Sequence, residues 1–396
     1  MMSTLVEPLK TFSLFMPVKI IFGLNTAEQL GIEIKKLKGR KVLVVTDPIL
    51  RKMEIMDVIV KSLESVSLEF EVFDKIKAEP PIECIEDLVG YIKQVGCDVV
   101  VGVGGGSVLD SAKVASVLVN NPGDPEDYYY GGKKTFENAG ISCITIPTTA
   151  GTCAEITCAS VVTDRKGIKG AFAHPFLYPK LAIVDPMMTV SMPSKLTAST
   201  GIDALSHAID TILGRGDNPI TRALALQSIR LISENLRVAV YQGDNIAARY
   251  NMSLAALMEP HGVAGVSDSH AVAEIVGSLY KIPHGVACCC ALPSSMEYNI
   301  MVSPNKLKLI AEAMGEDVDN LSLREAAYKG INAVRQLIKD VGLPVAYKDI
   351  GMKEEDLEKV AELLVTSPRI ADIRPNLVRK LTRENALWLI KRTWEG

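Results

Sequence analysis

Asp98-Val-Val-Val-Gly-Val-Gly-Gly-Gly-Ser-Val-Leu-Asp-Ser-Ala-Lys113 joins an apolar, valine-rich run to a triple glycine and then to a helical pattern. An apolar run with no polar interruption reads as a strand buried on both faces. Gly104, Gly105 and Gly106 let the backbone approach a ligand closely. The helix that follows offers unpaired N–H groups and the positive end of its dipole to a phosphate. Ser107 can cap that helix or donate to a phosphate oxygen. The stretch contains no Gly-Lys-Ser/Thr, so a nucleoside triphosphatase loop is not supported. Taken alone, the glycines fit a tight strand-to-helix turn equally well.

The same alternation extends in both directions. Lys41–Thr46 and Ile141–Ile146 are further buried strand candidates, and Leu68–Phe73 alternates like a less buried or edge strand. Helical periodicity occupies Ile49–Leu63, Ile82–Val95 and Val108–Val119. Strands alternating with helices predict an α/β domain, a parallel sheet with helices on both faces. Val18–Phe22 is a further strand that either joins this sheet or pairs with a partner chain. From Val161 to Asp185 the pattern is extended and broken by Gly and Pro. Beyond Pro193 strand signals nearly vanish and long helical periods follow, from Thr197–Ile212 to Thr382–Trp394. The expected division is an α/β nucleotide-binding domain over 1–188 and an all-α, metal-binding domain over 189–396.

A chain of 396 residues with 48% hydrophobic residues can bury two cores. Its net charge of −4 shows no cationic surplus for nucleic acid or an anionic membrane surface. No apolar run reaches membrane-spanning length, and Met1–Pro8 lacks a charged-then-apolar signal pattern. Eight cysteines in so long a chain do not form a disulfide framework. The run Cys288-Cys289-Cys290 cannot present three thiolates to one metal, because adjacent helical side chains diverge. These cysteines read as packing residues in a reducing cytoplasm.

Three of the five histidines, with one aspartate, look like a metal site. In Thr200-Gly-Ile-Asp-Ala-Leu-Ser-His-Ala-Ile-Asp210 a spacing of four stacks Asp203 and His207 on one helical face. His270 follows on another helical segment, and His284 sits in a Pro-His-Gly turn. Imidazole with carboxylate suits Fe²⁺ or Zn²⁺, which can polarise an alcohol or carbonyl oxygen. An Asp-x3-His pair by itself is more often structural. On the cofactor side, Asp47 ends an earlier strand, where it can reach a ribose diol. Its charge would repel a 2′-phosphate, favouring NAD over NADP; a plain Asp-Pro turn explains it equally well. Ile146-Pro-Thr-Thr-Ala-Gly-Thr152 places the hydroxyls of Thr148, Thr149 and Thr152 around a glycine, suited to cofactor hydrogen bonds.

These motifs resemble those of the iron-containing (group III) alcohol dehydrogenases, with lactaldehyde reductase-type members nearest in pattern. The likeness spans nearly the whole chain. It rests on Gly104-Gly-Gly-Ser-x-x-Asp110-x-Ala-Lys113, Pro147-Thr-Thr-Ala-Gly-Thr-x-Ala-Glu155, Asp185-Pro, Gly201-x-Asp-Ala-Leu-x-His-Ala-Ile209 and Pro283-His-Gly-Val-Ala287. The resemblance implies an active site in the cleft between the two domains, with Asp203, His207, His270 and His284 as metal ligands. It also implies a pyrophosphate loop at Gly104–Ser107 that includes Asp110 in its motif, an adenosine-ribose position at Asp47, and a cofactor lining of Thr148, Thr149, Thr152 and Lys169. Homodimerisation through N-terminal strands is a further implication, larger homo-oligomers being possible. The chain departs from the family pattern at Glu274 (often His), His261 (usually Phe), Asp268 (usually apolar) and Val108 (frequently Pro).

The expected reaction is reversible hydride transfer between a short-chain alcohol and NAD, aided by Fe²⁺, with Glu274 or His261 as candidate proton relays. Glu274 also has a simpler role open to it, orienting a ligand histidine. Two alternatives stand beside this. One is a zinc-dependent relative on the same scaffold, glycerol dehydrogenase-like or a dehydroquinate synthase-like lyase. The other is a non-catalytic NAD-binding protein, which the intact ligand set disfavours.

Overall fold

The computed structural model describes residues 11–396, apart from the side chains of His261 and Val263. The N-terminal stretch Met1–Pro8, where no signal pattern is expected, lies outside them. The chain divides into two compact units, the first spanning Met16–Met192 and the second Pro193–Gly396 together with the described residues up to Phe15.

In the first unit the strands are β1 (Lys19–Phe22), β2 (Lys41–Val45), β3 (Glu69–Phe73), β4 (Val99–Gly104), β5 (Ser142–Pro147), β6 (Ala159–Thr163), β7 (Lys169–Ala173) and β8 (Leu181–Val184). The helices are α1 (Leu30–Lys36), α2 (Ile55–Glu64), α3 (Ile82–Val95) and α4 (Gly106–Leu118). Six strands form one sheet in the order β1-β8-β5-β4-β2-β3. Every pairing in it is parallel. The pleat sends Leu43 and Val45 into a core with α3 and α4, and Val42 and Val44 into a second core with α1 and α2. Both faces are thus covered, which is why β2 and β4 read as unbroken apolar runs.

Three expectations change in detail. Val18–Phe22 joins the sheet by pairing with β8, so within this chain it is an edge strand. The helix expected over Ile49–Leu63 is a 3-10 turn at Leu50–Lys52 followed by α2. The broken stretch after Val161 holds the antiparallel hairpin of β6 and β7 before the chain returns to the sheet at β8.

The second unit contains α5 (Ser194–Leu213), α6 (Pro219–Tyr241), α7 (Ile246–Met258), α8 (His261–Ala264), α9 (Asp268–Tyr280) and α10 (His284–Tyr298). It continues with α11 (Pro304–Ala313), α12 (Leu323–Asp340), α13 (Leu357–Thr366) and α14 (Arg383–Glu395), and no strand occurs among its described residues. Its helices start where the sequence supplies acceptors: Asn218 caps α6 and Ser322 caps α12, each in a reciprocal capping box. The central helix α5 is buried along most of its length and packs against α6, α9 and α10. A Cβ at Gly285 would lie 2.4 Å from Ser199 O, so only glycine lets the first turn of α10 rest on the α5 backbone. That contact sets His284 beside Asp203. Among the described residues no helix is long and apolar enough to cross a membrane.

Candidate metal centre and cofactor loop

Asp203 and His207 share a face of α5, His270 projects from α9 and His284 opens α10. Asp203 Oδ1 lies 3.5 Å from His284 Nε2 and 3.8 Å from His270 Nε2. The His207 and His270 rings stack with centroids 4.4 Å apart, and the His284 ring lies 5.5 Å from His270. The four predicted ligands are therefore brought together in one unit.

The tightest donor group differs in one member from the predicted set. One ligand atom from each of Asp203, His270, His284 and Cys288 falls within 4.8 Å of the others. Cys288, expected only to pack, faces the cluster with its Sγ 3.6 Å from His284 Nε2. Cys289 and Cys290 turn instead toward the Pro344 carbonyl, consistent with three divergent side chains.

A carboxylate faces the Nδ1 of each histidine. Glu259 Oε2 is 2.8 Å from His207 Nδ1, Asp210 Oδ2 is 2.9 Å from His270 Nδ1, and Glu274 Oε1 is 3.5 Å from His284 Nδ1. A carboxylate on Nδ1 fixes the tautomer that leaves Nε2 as the donor to a cation. Asp210 also accepts the Ser267 and His270 backbone N–H groups, which locks the start of α9 against α5. Glu274 reaches Arg369 through its other oxygen, 2.7 Å from Nη2. Asp210, Glu259 and Arg369 escaped sequence reasoning. Only Asp210 carried a signal, lying seven positions after Asp203 on the same helical face.

The residues fit a divalent cation. Asp203 Oδ1 and His270 Nε2 are buried, and neither has a hydrogen-bond partner among the described residues. Leaving such groups unpaired is costly unless something binds them. Burial opposes charge on Asp203, yet the imidazoles of His207, His284 and His270 hold its carboxyl far below the usual range. Burial likewise opposes a His270 cation, but Cys288, Asp203 and Asp210 push its pKa well above the ordinary value. The cluster is electrostatically short of positive charge.

His261 opens α8, and its side chain lies outside the described residues. Asp268 is buried and accepts hydrogen bonds from Asn299 and Ser267; burial raises its pKa to about 6.

In the first unit the helix start after β4 is bare of side-chain caps, with Gly105 at the cap position. A Cβ at Gly105 would lie 3.3 Å from Thr149 and one at Gly106 2.8 Å from Thr152, so glycines and threonines share one surface. Thr148 N donates to Gly104 O, tying the threonine loop to the glycine loop. Ser107 Oγ accepts from Glu79 N, which leaves its own proton to donate. Lys169 Nζ sits 2.6 Å from Glu79 Oε1. Asp47 Oδ1 accepts from Ile49 and Leu50 N, so the turn-forming role is realised. Asp110 departs from the cofactor lining expected of it. Its oxygens meet Val161 N and Lys113 Nζ, anchoring the β6–β7 hairpin to α4.

A parallel α/β unit with a glycine-rich helix start, in one chain with a helical unit bearing an aspartate–histidine cluster, suits a metal-assisted oxidoreductase. Residues 17–186 match the iron-containing alcohol dehydrogenase family and residues 197–394 match that family's C-terminal domain. The chain belongs to the iron-containing alcohol dehydrogenase family and is an oxidoreductase acting on CH–OH groups. It is 36% identical over 359 residues to the 1,3-propanediol dehydrogenase of Citrobacter freundii, covering 89% of this chain and 92% of that one. It is 33% identical over 344 residues to the lactaldehyde reductase of Escherichia coli K12, covering 86% and 90%. A crystal structure of a 1,3-propanediol oxidoreductase superposes with a TM-score of 0.92 at 34% identity, over 97% of this chain and 100% of the other. The sulfoacetaldehyde reductase of Bifidobacterium kashiwanohense in complex with NAD+ superposes with a TM-score of 0.86 at 26% identity, over 96% and 98%. Membership in this family disfavours the zinc-dependent and lyase alternatives.

Proposed function

We propose that the protein is an NAD-dependent, iron-dependent dehydrogenase of short-chain alcohols that also reduces the matching aldehydes, working in the cytoplasm as a homodimer. The observation that carries this reading is the carboxylate behind each of three histidines, together with Asp203. Asp203, His207, His270 and His284 would hold the cation; Glu259, Asp210 and Glu274 would aim the imidazoles. Bound Fe²⁺ would supply Lewis acidity toward an alcohol or carbonyl oxygen, and NAD the hydride acceptor. Zn²⁺ suits the same donors, and iron is favoured by the family. Relatives that support the alcohol class include the NAD-dependent methanol dehydrogenase of Bacillus methanolicus, 33% identical over 91% of this chain and 96% of that one.

The residues of the chain divide the work. Gly104, Gly105, Gly106 and the N–H groups that open α4 would receive the pyrophosphate, with Ser107 donating. Thr148, Thr149, Thr152 and Lys169 would line the cofactor. Asp47 would take the adenosine ribose through its second oxygen and repel a 2′-phosphate, which favours NAD over NADP. Glu274, held by Arg369, is better placed to position His284 than to carry a proton. The test is a metal assay combined with NAD reduction over a panel of short alcohols, at several pH values with iron or zinc added. NADH production that follows iron content supports the reading. Metal-loaded protein that yields no NADH from any alcohol would overturn it.

A further inference from the structure

We propose that Cys288 is a thiolate ligand of the cation held by Asp203, His270 and His284, and that it biases this site toward ions that accept sulfur. The inference rests on the metal reading above and adds a donor that lies outside the predicted ligand quartet. Three observations carry it. Cys288 is one helical turn after His284 on α10, so both side chains leave the helix on the same face. Its Sγ belongs to the group of four donors within 4.8 Å of one another and stands 3.6 Å from His284 Nε2. Asp203 Oδ1 and His270 Nε2, each on a residue about 3% exposed, are aimed into the same point and lack hydrogen-bond partners among the described residues.

His207 adjoins that group without being one of its four donors. Its ring stacks on His270 and its Nδ1 faces Glu259. The close set is thus one carboxylate, two imidazoles and one thiol. Cys288 would give up its thiol proton to solvent and donate an Sγ lone pair to a cation held there. A thiolate adds negative charge to the site and softens it, and the borderline divalent ions Fe²⁺, Co²⁺ and Zn²⁺ all accept sulfur. The neighbouring thiols do not compete, because Cys289 and Cys290 point at the Pro344 carbonyl.

The experiment loads the metal-free full-length protein with Co²⁺ and records its absorption spectrum and its metal content. The wild type is expected to take up cobalt with a sulfur-to-cobalt charge-transfer band in the near ultraviolet. Cys288→Ser is expected to keep the cobalt, lose that band and bind Zn²⁺ at least about tenfold more weakly in a chelator competition. Cobalt uptake by the wild type without a sulfur band overturns the thiolate proposal and leaves the metal reading intact. No cobalt uptake overturns both. The wild-type spectrum decides the question even if Cys288→Ser fails to fold, and an unchanged band in folded Cys288→Ala also overturns it.

Discussion

Asp210 and His270 stand 60 positions apart in sequence, yet Asp210 Oδ2 lies 2.9 Å from His270 Nδ1. The same oxygen accepts the backbone N–H of His270. One carboxylate therefore fixes both the ring and the start of the helix that bears it. Asp210→Asn keeps the shape but can present an N–H to Nδ1, which disturbs the tautomer. Metal affinity is expected to fall by about 10- to 100-fold, with little change in helix content. Chelator competition checks the first and circular dichroism the second. Undiminished affinity would assign Asp210 a purely structural role.

Arg369 and Glu274 form a largely buried pair, with side chains 6% and 19% exposed. Removing one partner of such a pair leaves a poorly solvated charge. Arg369→Ala is expected to destabilise the protein by roughly 3 kcal/mol in urea unfolding. Glu274→Gln keeps the shape and is expected to lower turnover while metal content is retained. Turnover that matches the wild type across pH would remove Glu274 from the reaction altogether.

A Cβ at Gly104 would lie 2.6 Å from Val108 Cβ, and the two γ-carbons of Val108 are nearly as close. A branched side chain crowded at its Cβ cannot escape by changing rotamer, so the first turn of α4 must shift. Gly104→Ala is expected to cost about 1–3 kcal/mol of stability and to weaken NADH binding. A fluorescence titration with NADH measures the second effect. Unchanged binding would separate the glycine loop from the pyrophosphate.

Asp47 is half-buried at the end of β2, where Oδ1 accepts two backbone N–H groups. Asp47→Asn preserves an acceptor there and removes the charge. The ratio of kcat/KM for NADP over NAD is expected to rise about tenfold, equivalent to roughly 1.4 kcal/mol. A ratio that does not move would leave Asp47 with its turn alone.

How much of this was legible in the sequence depended on whether the cause was local. The strands at 41–45 and 99–104 were readable because burial on both faces demands unbroken apolar residues. The seven-residue helix Leu30–Lys36 was missed: it is short, begins Leu-Gly and ends in two lysines, so its period is weak. Asp203 and His207 were legible through their spacing on one helix. Glu259, Arg369 and Asp210 act on histidines 52, 85 and 60 positions away, through packing that no local pattern encodes. Cys288 is the intermediate case. Its place four residues after His284 was visible, but the adjacent Cys289 and Cys290 made the run read as filler.

Glu155 supplies a pH-dependent prediction outside the metal cluster. Burial lifts its carboxyl from the ordinary 4.5 to about 7, against the opposing pull of a backbone N–H and the Lys113 charge. A carboxyl raised on folding binds its proton more tightly in the folded state. Its contribution is therefore fully present below pH 4.5 and is lost as the pH rises through 7. The loss is on the order of 3 kcal/mol across that window. Glu155→Gln mimics the protonated form at every pH. Relative to the wild type it is expected to be more stable at pH 8, with the gain largely gone at pH 5, in urea unfolding at both values. Parallel stability curves for the two proteins would mean that Glu155 ionises in the folded state as readily as in water.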